Sequence, residues 1–479
     1  MAGSQTDAVS ELDQLISKAA DVTVVLLHSK NLLVTDLPSQ LWSFTSLTIL
    51  NLAKNKLSSI PAEIGELTSL ITLNLSSNEI TVVPAEIGKL GKLLDLDLGR
   101  NKLQAVPTAL GSLISLKYLN LMNNSFTAVP SELGNLTALY RLGLKGNHLT
   151  NLPESFAGLK GLVELFITDN RLVSLPDGMS GLTSLVKLQA SFNQLKTLPA
   201  AMGHLPKLEL MRVAVNNIEQ VPAEFGGLNA LAWLSLAGNP ACQPAPPIRP
   251  DILPLTLSQL DIATALGDGA SGDVFAAKFQ ERDVAIKIFK AESSPDGHAR
   301  DEIAVTCFVD HPNLIKVIGI IDHPHALVLE RIWGVPLALK PNFESLLRCR
   351  WTPGQTFTAA FVWNVAKSVA NALSYLHKHN ICHGDVYGHN VLADEEGNSV
   401  LCDYGASFFY QAGSVPYEAQ EVRAYGLLLH DLVSRLKQAS EQCDKDAARI
   451  LQEIVQQCIG NTASTTQRPT FYMLYDKLT

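Results

Sequence analysis

A glycine-rich segment at 267–274 has a composition and a spacing that suit the binding of phosphate. Gly267, Gly269, Gly272 and Val274 fit the pattern GxGxxGxV, a loop whose small residues let backbone N–H groups approach a phosphate. A dinucleotide-binding fold would need a helix directly after the glycines. The residues that follow, VFAAKFQERDVAIKIF, instead favour strands. The segment therefore predicts a β-hairpin that can hold phosphate.

A lysine in apolar surroundings is the second chemical signal. Lys287 ends the run VAIK, which reads as a strand. Burying its ammonium group without a partner would be costly. Two partners are available: the phosphates of a nucleotide, and Glu302 in the helical segment ARDEIAVTCFV.

From this lysine onward the sequence resembles the protein-kinase family in the order and spacing of its motifs. The segment HPNL at 311–314 follows the helix of Glu302, and LVLERI at 327–332 is similar to the strand that leads into the kinase hinge. HGDVYGHN at 383–390 matches HRDxxxxN except at Gly384, and Asp403 begins DYG where the family has DFG. RPTF at 468–471 is similar to the element that closes the kinase fold.

The resemblance implies a fold, a reaction and a set of site residues. The fold is an α+β bilobal kinase that transfers the γ-phosphate of ATP to protein hydroxyls, with Mg2+ (or Mn2+) as metal. Asp385 is then the catalytic base, supported by Lys287 and Glu302, and Asn390 and Asp403 are the metal ligands. The implied nucleotide-binding positions are Gly267, Gly269, Gly272, Val274, Ala285, Lys287, Glu330 and Ile332, with Leu329 as gatekeeper.

The sequence also departs from the family at several positions. Gly384 replaces the arginine before the catalytic aspartate, which implies a non-RD kinase whose activity does not depend on activation-loop phosphorylation. Tyr387 stands where serine/threonine kinases usually carry lysine, although serine/threonine specificity is still favoured over tyrosine. The segment from Asp403 to Glu421 is short, and 416–418 is its nearest match to the APE triplet. These departures keep open an alternative: a pseudokinase or nucleotide-binding scaffold.

The first half of the chain carries none of these motifs and is instead an internal repeat. Nine asparagines recur every 23 residues from Asn55 to Asn239, and prolines keep the same period from Pro61 to Pro222. Between them runs LxxLxLxxNxL, which predicts short strands with inward leucines, turns satisfied by Asn, and a return segment that tolerates Pro. This pattern resembles the leucine-rich-repeat family, an α/β solenoid or horseshoe that binds proteins on its concave strand face.

The positions between the inward leucines are therefore candidates for binding a partner or substrate protein. They are expected to be exposed on the concave face, with Tyr and Arg as typical anchors. The ordinary alternative is that they are solvated strand positions. They include Asp95, Asp97, Tyr118, Met122, Arg141, Glu164, Phe166, Lys187, Phe192 and Arg212.

The predicted organisation has four parts. Residues 1–21 form an N-terminal cap, with Asp7–Ala20 as an amphipathic helix, and 22–243 form the repeat solenoid. Residues 244–259 are a stiff proline-rich linker, and 260–479 are the kinase domain.

Composition narrows the class of protein further. The apolar fraction of 47% argues against disorder, and the net charge of −9 gives no basic footprint for nucleic acid. The seven cysteines are scattered without a CxxC pair, which is typical of a reducing compartment. The sequence shows neither a secretory signal nor an apolar run long enough to cross a membrane. We therefore expect a soluble, cytoplasmic protein.

Overall fold

The computed structural model describes residues 22–33, 37–269, 271–342, 344–413, 415–438, 442–460 and 467–479. The predicted cap at 1–21 lies outside the described residues. By compactness the chain divides into two units, Met1–Leu208 and Glu209–Thr479.

The first unit is built from short parallel strands, one per repeat. Each strand pairs with the next in register, so that Leu50, Leu73, Leu96 and Leu119 lie side by side in the buried row. This stacking buries an apolar face that a single repeat could not bury alone. The strands are β1 Val24–Leu26, β2 Ile49–Asn51, β3 Thr72–Asn74, β4 Asp95–Asp97, β5 Tyr118–Asn120, β6 Arg141–Gly143, β7 Glu164–Phe166 and β8 Lys187–Gln189.

Short 3-10 helices form the return segments, and most start at the periodic prolines. Pro61 has φ −74° and precedes the helix Ala62–Glu66, and Pro84 has φ −71° and precedes Ala85–Lys89. Proline suits this position because its fixed φ fits the turn and no ladder N–H is required there.

The periodic asparagines satisfy the turn that follows each strand, as the sequence predicts. The Nδ2 group of Asn147 donates to the carbonyls of Leu121 (3.1 Å) and Leu144 (2.9 Å). Its Oδ1 accepts from the backbone N–H of Phe126 at 3.1 Å. One side chain thus joins two consecutive repeats.

Of the ten strand positions expected to be exposed, only Tyr118 is exposed, seven are partly buried and two are buried. Arg141 and Glu164 are buried and form an ion pair between neighbouring strands. Lys187 adds a second contact to Glu164 at 3.8 Å. Opposite charges on adjacent strands cover each other, so these side chains turn toward one another rather than toward solvent.

The second unit begins with two further repeat strands, β9 Leu210–Arg212 and β10 Trp233–Ser235, which are parallel. A mixed sheet follows in the order β11-β17-β18-β14-β13-β12. Helix α1, Ala299–Phe308, lies between its strands β14 and β17 in the chain. The strands are β11 Leu253–Pro254, β12 Asp261–Asp268, β13 Gly272–Phe279, β14 Arg282–Phe289, β17 Val317–Ile321 and β18 Ala326–Glu330, with a small hairpin of β15 Ser293–Ser294 and β16 Gly297–His298.

The rest of this unit is mainly helical and carries the later motifs. Thr358 caps helix α2, Ala359–Lys378, by accepting from the N–H of Phe361. The later helices are α3 Tyr417–Val433, α4 Gln442–Ile459 and α5 Phe471–Lys477. Five short strands come before α3 in the chain: β19 Val335–Pro336, β20 Ile381–Cys382, β21 Val391–Ala393, β22 Ser399–Leu401 and β23 Phe408–Phe409. A strand-rich lobe followed by a helical lobe is the predicted bilobal arrangement.

Within the described parts of the chain, none of the helices combines the length and the apolar character needed to cross a bilayer.

Candidate active site

The lysine of VAIK and the glutamate of the following helix meet inside the second unit. Strand β14 carries Lys287 and helix α1 carries Glu302, and the two form a buried ion pair. Burial opposes the charge on Lys287, but Asp403 and Glu302 together raise the pKa of its ammonium group. The lysine is therefore cationic at neutral pH.

Asp403 adds a second carboxylate to this lysine. Its Oδ1 lies 3.4 Å from Lys287 Nζ and accepts from the N–H of Gly405 at 3.3 Å. The charge of Lys287 lowers the pKa of Asp403 to about 2, although burial acts the other way. Asp403 has a left-handed backbone, with φ 66°. Such a strained conformation at the start of DYG is common at functional sites.

The segment HGDVYGHN places its aspartate and asparagine in contact. Asn390 Nδ2 donates to Asp385 Oδ2 at 2.8 Å and to the Asp385 carbonyl at 2.9 Å. The N–H of Cys402 donates to the Asn390 carbonyl at 2.8 Å. This last bond ties the loop to the residue before Asp403, so Asp385, Asn390 and Asp403 are held near one another.

Glu421 of helix α3 holds the first residues of the segment HGDVYGHN through hydrogen bonds. It accepts the backbone N–H groups of His383 at 3.1 Å and Gly384 at 2.7 Å, and His377 contacts it at 2.8 Å. Burial alone would raise the pKa of Glu421, but the hydrogen bond and charge of His377 lower it below its usual value. Glu421 thus fixes the backbone at the start of the segment HGDVYGHN.

A cation from the repeat strand β9 also reaches this loop, and sequence reasoning missed it. Arg212 was expected to be an exposed partner-binding position. Its Nε instead lies 3.0 Å from Asp296 Oδ1, and its Nη2 lies 3.7 Å from Asp385 Oδ1. Burial raises the pKa of Asp385 to about 7; Arg212 counteracts this, and Asp296 and Asp403 reinforce it. No local motif signals this contact, because the two residues are far apart in sequence.

The glycine-rich segment is a hairpin, as predicted. Strands β12 and β13 are antiparallel, and the N–H of Gly269 donates to the Gly272 carbonyl at 3.0 Å. A Cβ at Gly272 would lie 2.5 Å from the Ile288 carbonyl oxygen, so only glycine fits there. Lys290 pairs with Asp268 at 2.6 Å and Asp273 at 2.9 Å, one on each strand of the hairpin.

The remaining predicted nucleotide-binding positions lie on neighbouring strands. Val274 of β13 is opposite Lys287 of β14, and Ala285 of β14 is opposite Leu329 of β18. The N–H of Glu330 donates to the Lys316 carbonyl at 2.9 Å. Strand β18 ends at Glu330, two residues before Ile332. Gly267 pairs with Val274 in the hairpin. Gly267, Val274, Ala285 and Glu330 thus lie on strands of one sheet.

Two oxygen donors suit a hard metal ion. In the part of the chain that the structure describes, no group of three or more His, Cys, Asp or Glu side chains could hold a metal. The carboxylate of Asp403 and the amide oxygen of Asn390 match the sparse protein ligation of Mg2+, which takes its other ligands from phosphates and water.

Comparisons with known proteins agree with these two halves. The family model for the protein kinase domain matches residues 260–457. Models for a leucine-rich repeat region and a leucine rich repeat match 94–194 and 45–103. This chain is a leucine-rich-repeat protein with a protein kinase domain. Proteins with this domain generally use ATP and a divalent metal ion.

Several curated relatives of this chain are serine/threonine kinases by name. A probable serine/threonine-protein kinase of Dictyostelium discoideum is 25% identical over 262 residues, 46% of this chain and 16% of the relative. Serine/threonine-protein kinase TNNI3K of Mus musculus is 29% identical over 168 residues, 33% of this chain and 19% of the relative. The chain thus spans less than a fifth of the length of either relative.

Among solved structures, a leucine-rich-repeat protein of Leptospira interrogans is 28% identical to this chain. The match covers 48% of this chain and 81% of the other, with a TM-score of 0.30.

Proposed function

We propose that this leucine-rich-repeat protein is an active ATP-dependent protein kinase. The observation that carries the proposal is one cluster: the Lys287–Glu302 ion pair with Asp403 beside it, and the Asp385–Asn390 contact nearby. Phosphoryl transfer depends on positioning and charge neutralisation more than on covalent help from the enzyme. A cation, two oxygen donors and a carboxylate are therefore a sufficient set.

In the proposed reaction a substrate hydroxyl oxygen attacks the γ-phosphorus of ATP. The bond between this phosphorus and the β,γ-bridging oxygen breaks, and ADP leaves with its electron pair. The hydroxyl proton passes to Asp385, and the new P–O bond forms the phosphoester. Lys287, fixed by Glu302, holds phosphate oxygens, and Asn390 holds the Asp385 carboxylate toward the hydroxyl.

Asn390 and Asp403 are the proposed metal ligands, and Mg2+ fits their oxygen donors. When bound, the ion neutralises charge on the phosphates. Gly267, Gly269, Gly272, Val274 and Ala285 are proposed to line the nucleotide, with backbone groups of Glu330 and Ile332 at the adenine.

The features of the catalytic loop support a non-RD kinase. Gly384 has φ 78°, and a Cβ there would lie 2.5 Å from the Leu234 carbonyl oxygen and 2.8 Å from that of Ala406. No arginine side chain fits at this position. We expect phosphatase treatment to leave activity intact; loss of activity would contradict this part of the proposal. Serine or threonine is the proposed acceptor, in keeping with the names of the relatives.

The experiment that tests the proposal is phosphate transfer from labelled ATP with magnesium. The intact chain is compared with Lys287→Met and Asp385→Asn, in the presence of casein as a general acceptor. Label incorporated by the intact chain and lost in both variants is expected, and phosphoamino-acid analysis then identifies the acceptor hydroxyl. Equal incorporation by Asp385→Asn would point to a contaminating kinase and contradict the proposal.

A second candidate function is a nucleotide-binding scaffold without transfer. The stacking of Trp233 on Tyr387, with ring centroids 4.4 Å apart, favours it because the repeat covers part of the catalytic loop. Binding of ATP without any transfer by the intact chain would support the scaffold.

We also propose that the repeats recognise a protein. Tyr118 is an exposed aromatic residue on strand β5, and Asp95 and Asp97 are partly exposed on β4. Tyr118→Ala should raise the KM for the protein substrate and leave the KM for ATP unchanged. Ile114→Ala, exposed but outside the strands, is the matched control. Equal effects of both changes would argue against this surface.

A further inference from the structure

The last two repeat strands and the kinase active site share one charge cluster. Arg212 Nε contacts Asp296 Oδ1 at 3.0 Å and its Nη2 lies 3.7 Å from Asp385 Oδ1. Strand β10 places Ser235 directly beside Arg212. The Ser235 hydroxyl donates to the Asp296 carbonyl at 2.6 Å. Both strands therefore fix Asp296, and Asp296 fixes the guanidinium.

Residues of strand β10 next to this cluster contact Gly384 and Tyr387 of the catalytic loop. Trp233 lies parallel to Tyr387, with an interplanar angle of 2°, and donates through Nε1 to the Val386 carbonyl at 3.1 Å. The Leu234 carbonyl occupies the space that a side chain at Gly384 would need. Gly384 and Tyr387, the two residues of this loop that depart from the kinase pattern, thus lie where the loop contacts strand β10.

Hydrogen bonds from helix α3 and from Arg468 hold the repeat in this position. Gln420 donates to the Phe225 carbonyl at 3.0 Å, and Arg423 donates to the Ala230 carbonyl at 2.9 Å. Arg468 donates to the Asn229 carbonyl at 2.5 Å. Buried polar contacts of this number are costly to break, since each would leave a group unsatisfied. The repeat therefore behaves as a fixed part of the active-site wall.

We propose that Arg212 is a positioning residue of the kinase active site, supplied by the leucine-rich repeats. It holds one oxygen of Asp385 while Asn390 holds the other, so the carboxylate faces the acceptor hydroxyl from a defined direction. Its distance of 3.7 Å from Asp385 Oδ1 leaves that oxygen able to accept the proton. This inference rests on the proposed kinase activity and adds a residue from outside the kinase motifs to it.

The arrangement also explains how the site works with Tyr387 in place of lysine. Asp385 lies near other carboxylates, and a nearby cation offsets their negative charge. The charges of Asp296, Asp385 and Asp403 all favour the charged form of Arg212. The planar guanidinium can contact two acceptors at once, which a point charge does less well.

The test compares Arg212→Ala and Arg212→Lys with the intact full-length chain, measuring transfer from labelled ATP to casein and to the chain itself. Arg423→Gln is the matched control, because it removes another arginine contact to the repeat without touching Asp385. We expect Arg212→Ala to lower kcat about 10- to 100-fold with the KM for ATP unchanged, as for a misplaced reacting group. Arg212→Lys should recover part of kcat. Arg423→Gln should lower Tm but change kcat less.

Other outcomes would overturn the inference. Increased activity of Arg212→Ala would mean that the repeat inhibits the site, and unchanged kcat would mean that Arg212 plays no part. A loss of kcat that only follows the loss of Tm, to the same degree in Arg423→Gln, would mean a structural role. Absence of transfer by the intact chain would overturn the proposed function and this inference together, whereas the previous outcomes leave the kinase activity standing.

Discussion

At the scale of single residues, the buried polar groups explain how the catalytic loop keeps its shape. Glu421 is 2% exposed and accepts two backbone N–H groups of the loop as well as a contact from His377. A buried carboxylate is stable only when its oxygens are satisfied in this way. The loop geometry therefore depends on a residue that does not touch the substrate.

Glu421→Gln should destabilise the fold by about 2 kcal/mol at pH 7, because one charged acceptor for two buried donors is lost. The lowered pKa of Glu421 means that its contribution is complete above its usual pKa of about 4.3 and is lost as pH falls through the lower folded value. Denaturant unfolding at several pH values should show a smaller acid loss in the variant. Glu453→Gln, in an exposed pair with Arg449, is the control. An unaltered pH dependence would contradict the role assigned to Glu421.

Two cysteines of helix α4 should differ in reactivity. Burial raises the pKa of Cys458 to about 12, while Cys443 is exposed on the same helix. Because the thiolate is the reactive form, iodoacetamide at pH 7.5 should label Cys443 in the native protein and leave Cys458 unmodified until unfolding. Mass spectrometry of the labelled peptides measures this. Rapid native labelling of Cys458 would mean that α4 opens readily.

At the scale of elements, the asparagine turns define each repeat. Most of these side chains donate to carbonyls of two repeats and accept one N–H, as Asn147 does for Leu121, Leu144 and Phe126. In the glycine-rich hairpin, by contrast, the side-chain contacts between the strands lie on the surface. Lys290 pairs there with Asp268 and Asp273, one on each strand of the antiparallel hairpin.

Asn147→Ala should lower the free energy of unfolding by about 2–4 kcal/mol, since it leaves buried backbone groups without partners. His148→Ala, at the exposed neighbouring position, should change it by less than about 0.5 kcal/mol. Chemical denaturation monitored by circular dichroism measures both. Equal effects at the two positions would show that the turn is satisfied in another way.

At the scale of the whole molecule, the compact unit that contains the kinase motifs starts at Glu209, well before residue 260. The predicted boundaries at 243 and 259 stay predictions. The indole of Trp233 is 3% exposed and contacts the catalytic loop. The repeat strands β9 and β10 therefore contribute to the stability of this unit.

A fragment that starts at residue 209 should unfold cooperatively, whereas one that starts at 244 should lose this transition or have a Tm lower by at least about 6 °C. Losing a buried Trp contact alone costs about 3–5 kcal/mol, and each kcal/mol lowers Tm by about 2–4 °C in a domain of this size. Calorimetry of the two fragments and the full chain measures this. Equal Tm values for both fragments would mean that the repeat strands are not needed.

The local features of this protein could be predicted from its sequence. The 23-residue period predicted the repeat strands and the asparagine turns, because each repeat satisfies its own turn and its neighbour's. The order of motifs predicted the hairpin and the lysine–glutamate pair, because these depend on short segments with fixed chemistry.

The contacts between residues distant in the chain could be learned from the tertiary structure alone. It turned Arg141 and Glu164 toward each other, and it brought Arg212 and Trp233 to the catalytic loop. Contacts of this kind join segments far apart in the chain, and their residues carry no periodic or motif signal. The free energy of burying an indole and pairing a guanidinium is gained only once both surfaces have formed.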